Sequence, residues 1–178
     1  MIRLFAAVAI VGETADALIG LQSGVPGARW SPPDNLHLTL RFFGEIAEPV
    51  ADDIDIALEG VAGEPFELEL SGVGAFEEGG RPRALWAGIR DNPALTRLHS
   101  RCEAAARRAG LRPEPRVWKP HVTLAYLAGA DLFRVATWIQ ANNLAVVPPL
   151  TLKSFGLYSS WRGSAGARYR LERAYPLH

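Results

Sequence analysis

The chain has 178 residues, 48% of them hydrophobic and 21% charged, with 19 basic and 19 acidic side chains and no formal net charge. That composition suits one ordinary globular domain with a real core, expected over residues 1–178, and excludes a broad electrostatic grip on a nucleic-acid backbone, although a local basic patch around one phosphate remains open. The single cysteine, Cys102, rules out an intrachain disulfide, and no apolar run approaches the length of a membrane-spanning helix.

Taken in order, Arg3–Val11 is a short apolar run and reads as a buried strand. It loosely mimics a signal peptide, but it is short for one, and Glu13 and Asp16 follow at once. Glu13–Gln22 reads as a helix that ends at Gly24–Gly27, and Trp30–Asn35 as a loop. Leu36–Phe43 reads as a strand broken by Gly44, and Pro49–Val61 as a second helix. Pro65–Leu70 alternates strictly, as a half-exposed antiparallel strand does. Phe76–Arg83 reads as a hairpin turn and Ala84–Ile89 as a strand. Asn92–Leu111 is the longest helical pattern, with Asp91 or Asn92 as N-cap and Pro93 at its start. Arg112–Arg116 is a loop, Val117–Leu127 a strand and Asp131–Ala141 a helix. Leu150–Tyr158 and Ala167–Tyr175 close the chain as strands. The order β-α-β-α-β-β-α-β-α-β-β predicts an α+β body of two lobes, and the similar cadence around two points suggests a duplicated half.

Those two points carry the chemistry. Leu36–Leu40 reads LHLTL and Pro120–Leu124 reads PHVTL, with the histidines 84 residues apart (121 − 37). Along a strand, residues i and i+2 share a face. His37 and Thr39 therefore project together, as do His121 and Thr123, with the intervening apolar residues on the opposite side. One such strand reads as ordinary decoration; the duplicate points to a shared site. Two imidazoles near neutral pH suit concerted acid–base work, one neutral and one protonated. Threonine hydroxyls are compact donors for phosphate oxygens. The pattern suits displacement at phosphorus by positioning and charge stabilisation. No Cys, Asp or Glu sits at ligand spacing beside either histidine, so no metal site is expected. His99 reads as a packed or solvated helix residue, and His178 is the last residue.

These motifs resemble those of the two-histidine phosphoesterase superfamily. More closely, the chain resembles the RNA 2′,3′-cyclic phosphodiesterases of the LigT-like, 2′–5′ RNA ligase family. The resemblance runs through RLFAAVAI, WSPPDNLHLTLRFFGE, RPRALWAGI, WKPHVTLAYL, SFGLYSS and ARYRLERAYPL, almost the whole chain. It implies two pseudo-symmetric lobes, each an antiparallel sheet flanked by helices, around a central cleft. It implies hydrolysis of an RNA 2′,3′-cyclic phosphate to a 2′-phosphate, with His121 as proton acceptor and His37 as proton donor. Thr39 and Thr123 would bind the phosphate, and weak reversible 2′–5′ ligation would accompany the activity. No cofactor is implied. RNA ends or small cyclic-phosphate nucleotides are the expected partners, and a cytoplasmic monomer is the expected form.

Several neighbours are candidate substrate contacts. Lys119 would share a strand face with His121. Phe43 and Trp118 could stack on a base, since every base offers a π-face, although packing within the fold is the commoner role for such residues. Arg162 lies in a Gly/Ser-rich stretch, and Tyr169 matches a tyrosine of the family near its C-terminus. Many relatives carry a basic residue soon after the second motif, as in HLTLAR, where this chain has Ala125 and Tyr126. Lys119 or Arg41 would then have to supply that charge. A non-catalytic RNA-end binding module on the same fold is the alternative function, and a metal-assisted hydrolase a third.

Overall fold

The computed structural model describes residues 1–178. In chain order its elements are β1 (Ile2–Ala9), α1 (Gly12–Ile19), β2 (Arg29–Trp30), a 3₁₀ turn (Pro33–Asn35), β3 (His37–Ile46), α2 (Glu48–Glu59), β4 (Phe66–Leu68), β5 (Leu70–Glu78), β6 (Arg81–Ile89), α3 (Pro93–Arg108), β7 (His121–Tyr126), α4 (Leu132–Asn142), β8 (Leu150–Leu152), β9 (Ser154–Gly163) and β10 (Gly166–Pro176). No helix is long and apolar enough to cross a membrane.

Local chemistry explains most of these boundaries. The Asn92 side chain accepts from the Ala94 and Leu95 amides at 3.0 and 3.1 Å, and Pro93 opens α3 where its missing N–H costs nothing. Asp131 caps α4 in the same way. Leu95, Leu98, Cys102, Ala105 and Ala106 form the buried stripe of α3, and each fully buried leucine contributes about 1.5–3 kcal/mol. Gly79 and Gly80, both at positive φ, make a two-residue turn between β5 and β6, tighter than the hairpin loop expected. Other boundaries also differ from the sequence reading: Pro65–Leu70 divides into β4 and the start of β5, which runs on to Glu78, and Leu150–Tyr158 divides into β8 and β9. The Trp30–Asn35 loop contains part of β2 and the 3₁₀ turn; Gly44 does not break β3, which runs on to Ile46 with that glycine at φ +90°; and β7 begins only at His121.

Eight strands form one sheet in the order β10-β9-β1-β3-β7-β6-β5, with β2 also paired to β7. All these pairings are antiparallel. The two lobes are β10-β9-β1-β3 and β7-β6-β5 with β2. They join only at the Leu38–Val122 pair and splay apart from it. Helices α2 and α3 cover the first lobe, and α4 covers the second. Helix α1 lies with α4, where Thr14 donates to the Pro148 carbonyl and Trp138 to that of Leu21. The lobes are therefore not successive halves of the chain: β1 and α1 belong to different lobes, as do β6 and α3.

A duplicated unit nonetheless generates this arrangement. Strand β3, α2, β4 and β5 start at 37, 48, 66 and 70; β7, α4, β8 and β9 start at 121, 132, 150 and 154, each 84 residues later. Equivalent positions meet at the centre. Leu38 pairs with Val122 (122 − 38 = 84) and Glu67 with Thr151 (151 − 67 = 84). A local two-fold axis passes between residues directly opposite in an antiparallel pair, so the pseudo-symmetry axis runs between Leu38 and Val122. A cluster of 36 buried residues on the far side of the sheet draws on both lobes.

Candidate active site

The axis places the four motif residues. Leu38 and Val122 are fully buried on the core face. One step either way in the antiparallel register, His37 comes opposite Thr123 and Thr39 opposite His121, all four half-buried on the other face. Two imidazoles and two hydroxyls thus surround a single point, each kind related by the two-fold. A cleft of about 660 Å³ opens on this face, lined by His37, Thr39 and Thr123 among others.

Each histidine is oriented by its own strand entry. Nδ1 of His37 lies 2.6 Å from the Asn35 carbonyl, and Nδ1 of His121 lies 2.7 Å from that of Lys119. A carbonyl oxygen only accepts, so both Nδ1 atoms carry hydrogen and both Nε2 atoms are left for substrate. Aromatic edges fix the ring planes. Phe5 and Tyr169 flank His37 at 5.1 and 5.0 Å, and Phe76 meets His121 edge-on at 4.7 Å.

Burial pushes both imidazolium pKa values below the ordinary 6.5, against the pull of the two carbonyls; for His37 the nearby His121 charge lowers it further. A pair that works with one proton is most populated between its two macroscopic pKa values. Both lie below 6.5, so kcat/KM is expected to peak below pH 6.5 and to fall as the pH rises through neutrality. A bound phosphate anion favours the charged forms, so the kcat profile should sit at higher pH. An optimum of kcat/KM at pH 7 or above would contradict this assignment.

The remaining candidates divide. Arg162 and Tyr169 line the cleft. Burial, reinforced by neighbouring Tyr126, pushes the Tyr169 phenol up to about 12, so it stays a hydrogen-bond donor. Phe43 does not line the cleft: it is 8% exposed and packs in the core. The reason is a β-bulge. Ala7 pairs with Thr39 and Ala6 with Arg41, so Leu40 is an extra residue in β3. Alternation slips by one, Arg41 turns inward and Phe42, not Phe43, faces the cleft. β7 repeats the device at the equivalent Leu124 (124 − 40 = 84), since Trp86 pairs with Thr123 and Leu85 with Ala125. That bulge brings Tyr126 to the cleft.

The same slip removes Arg41 as a cleft cation. It is 6% exposed, 2.5 Å from Glu103, and donates to the Arg112 carbonyl at 2.7 Å. Lys119 also lies outside the cleft lining, in the loop before β7, where its carbonyl rather than its ammonium serves His121. Trp118 does not line the cleft either; it stacks on His99 behind β3. The cleft instead holds three arginines that sequence reading did not bring together, Arg3, Arg29 and Arg162, none within ion-pair distance of a carboxylate. The Arg3 guanidinium lies 4.9 Å from the Phe42 ring centre, and that of Arg29 lies 5.5 Å from that of Tyr126. Phe42 and Tyr126 are again 84 residues apart, so each lobe offers one arginine–aromatic platform. No group of three or more His, Cys, Asp and Glu side chains is placed to share a metal ion.

A bilobal α+β fold with one His–Thr strand from each lobe at its centre is the architecture of the two-histidine phosphoesterases that the motifs resemble. The sequence matches the 2'-5' RNA ligase superfamily over residues 22–160, and the chain belongs to that family. Curated relatives share the name RNA 2',3'-cyclic phosphodiesterase. That of Escherichia coli is 30% identical over 94% of this chain and 92% of its own length. That of Archaeoglobus fulgidus is 35% identical over 68% and 70%. That of Aeropyrum pernix is 40% identical, but the match spans only 61% of either chain. Among solved structures, E. coli LigT complexed with 3'-AMP superposes with a TM-score of 0.82 over 99% of this chain and 98% of that one, at 24% identity.

Proposed function

We propose that the chain hydrolyses RNA 2′,3′-cyclic phosphates to 2′-phosphates by paired histidine acid–base catalysis, with no metal taking part. Family membership and the relatives' shared name support cyclic-phosphate hydrolysis. LigT of E. coli has been solved with 3'-AMP, with ATP and with phosphate, which suits a nucleotide in the equivalent cleft. The observation that carries the mechanism is the two-fold arrangement of His37, Thr39, His121 and Thr123 about one point.

A phosphodiester in in-line displacement shares that symmetry. Its two non-bridging oxygens meet the two threonine hydroxyls, and the attacking and leaving oxygens, on opposite sides of phosphorus, meet the two Nε2 atoms. The cleft lies on the His37 side, since His37 lines it and His121 does not. The nucleoside fills the cleft and keeps its 3′-oxygen, so that leaving oxygen falls to His37. Water enters beside His121. Nε2 of His121 takes a proton from water as its oxygen bonds to phosphorus. The P–O3′ bond breaks, and His37 gives its Nε2 proton to the 3′-oxygen. A ribose 5′-hydroxyl in the water's place yields a 2′–5′ linkage instead, and the cleavage of that linkage exchanges the two roles. Arg29, on its Tyr126 platform, supplies the positive charge that relatives place after the second motif.

The experiment is hydrolysis of a nucleoside 2′,3′-cyclic phosphate in excess EDTA. Turnover to the 2′-phosphate alone is expected. Activity only on added metal would refute the metal-free step. No turnover of that compound or of a short RNA with the same end would favour an RNA-end binding module.

A further inference from the structure

The bulge in β3 exposes backbone groups that the ladder no longer uses, and two side chains from outside the sheet take them. Trp118 donates its indole N–H to the Thr39 carbonyl at 3.0 Å. His99, from α3, has Nδ1 2.8 Å from the Leu40 carbonyl, which can only accept. The two rings stack at 3.9 Å with their planes 4° apart, so each holds the other in place. Behind them Arg41 is anchored to Glu103 of α3 and donates to the Phe42 carbonyl at 2.5 Å. The equivalent bulge in β7 is held differently: the Leu124 carbonyl accepts from the Ser31 amide at 2.8 Å and from the Gln22 side chain at 3.3 Å. Neither Trp118 nor His99 lines the cleft.

We propose that the stacked His99–Trp118 pair is a positioning unit of the active site, which acts through the bulge to hold Thr39 and Phe42 on the cleft face. Bulges re-aim side chains, and β3 without this one would turn Arg41 and Phe43 toward substrate in place of Phe42. The pair fixes where the extra residue sits. It grips the carbonyl of the phosphate-binding residue and the one after it, with Trp118 79 residues from Thr39 and His99 59 residues from Leu40 along the chain. This inference rests on the proposed phosphate role of Thr39, so its test includes a measurement that needs no turnover.

Trp118→Phe keeps an aromatic ring on His99 while removing the indole N–H and the smaller of its two fused rings. It is expected to lower kcat/KM for a nucleoside 2′,3′-cyclic phosphate about tenfold, the size of one lost hydrogen bond at a positioned site. In a Thr39→Ala background the same change should lower it less than twofold, because the residue it positions is gone. An equal drop in both backgrounds would mean that Trp118 acts by general packing, and no drop in either would also overturn the proposal. Independently of activity, amide hydrogen exchange at Leu40–Phe42 should quicken in Trp118→Phe and in His99→Leu while the β9–β10 amides stay unchanged. Unaltered exchange at the bulge would overturn the proposal even if the enzyme proves inactive on cyclic phosphates.

Discussion

Replacing either motif histidine by alanine is expected to lower kcat by about 10²–10⁴, the range of one positioned general acid or base, with the fold intact. Both imidazoles are half-buried on the cleft face of the sheet, His37 in the cleft lining and His121 beside it, so truncation leaves a space open to water rather than a cavity in the core. The losses should not add. Once one half of a concerted proton transfer is gone, the other half has less to contribute, and the double variant should fall little below the poorer single one. Initial rates and thermal unfolding of the three variants check this. Full additivity, or loss of cooperative unfolding in the single variants, would mean that the histidines do not work as a pair.

The second large effect concerns the phosphate. Thr39→Val and Thr123→Val keep the β-branched shape and remove only the hydroxyl, and each is expected to cost about 10²–10³ in kcat/KM, as the loss of one positioned donor does. The two-fold predicts similar costs for the two, since in the proposed mechanism each hydroxyl meets one non-bridging oxygen. Arg29→Ala should cost about tenfold, on KM more than kcat, because its charge attracts substrate and transition state alike. Tyr126→Arg in that background should restore much of the loss by returning a cation to β7. Inorganic phosphate should inhibit competitively and bind more weakly to all three variants. Thr variants with wild-type kcat/KM, or phosphate inhibition indifferent to them, would remove the hydroxyls and Arg29 from the site.

The four central residues were legible in the sequence because a period of two is a local property. His37 and Thr39 share a face whatever the rest of the chain does, and so do His121 and Thr123. That the faces converge was suggested by duplication, and the Leu38–Val122 pairing shows how: equivalent residues meet on the axis. Phe43 and Arg41 were misplaced for one reason. A bulge inserts a residue with no signal of its own, because Leu40, Phe42 and Phe43 are all apolar and fit either face, so strict alternation runs one position out from Leu40 to Phe43, where the register shifts again. Trp118 packs rather than facing substrate because Pro120 delays β7 until His121, leaving Trp118 on a loop that turns behind β3. Arg3 and Arg29 carry no local signal at all. They reach the cleft only through long-range pairing, β1 beside β3 and β2 beside β7. The crossing of α1 and α3 between lobes is likewise a product of tertiary packing, invisible to composition or periodicity.

The division of labour between His37 and His121 is tested most directly by changing the leaving group. A 3′-deoxynucleoside 2′-(4-nitrophenyl phosphate), which has no neighbouring hydroxyl to attack phosphorus, presents nitrophenolate where the 3′-oxygen would leave, and that weakly basic group departs without a proton. If His37 is the general acid and His121 the general base, His37→Ala should recover most of its lost rate on this substrate. His121→Ala should remain as impaired as on the cyclic phosphate. Recovery in His121→Ala instead, or in neither variant, would contradict the assignment of the acid–base pair.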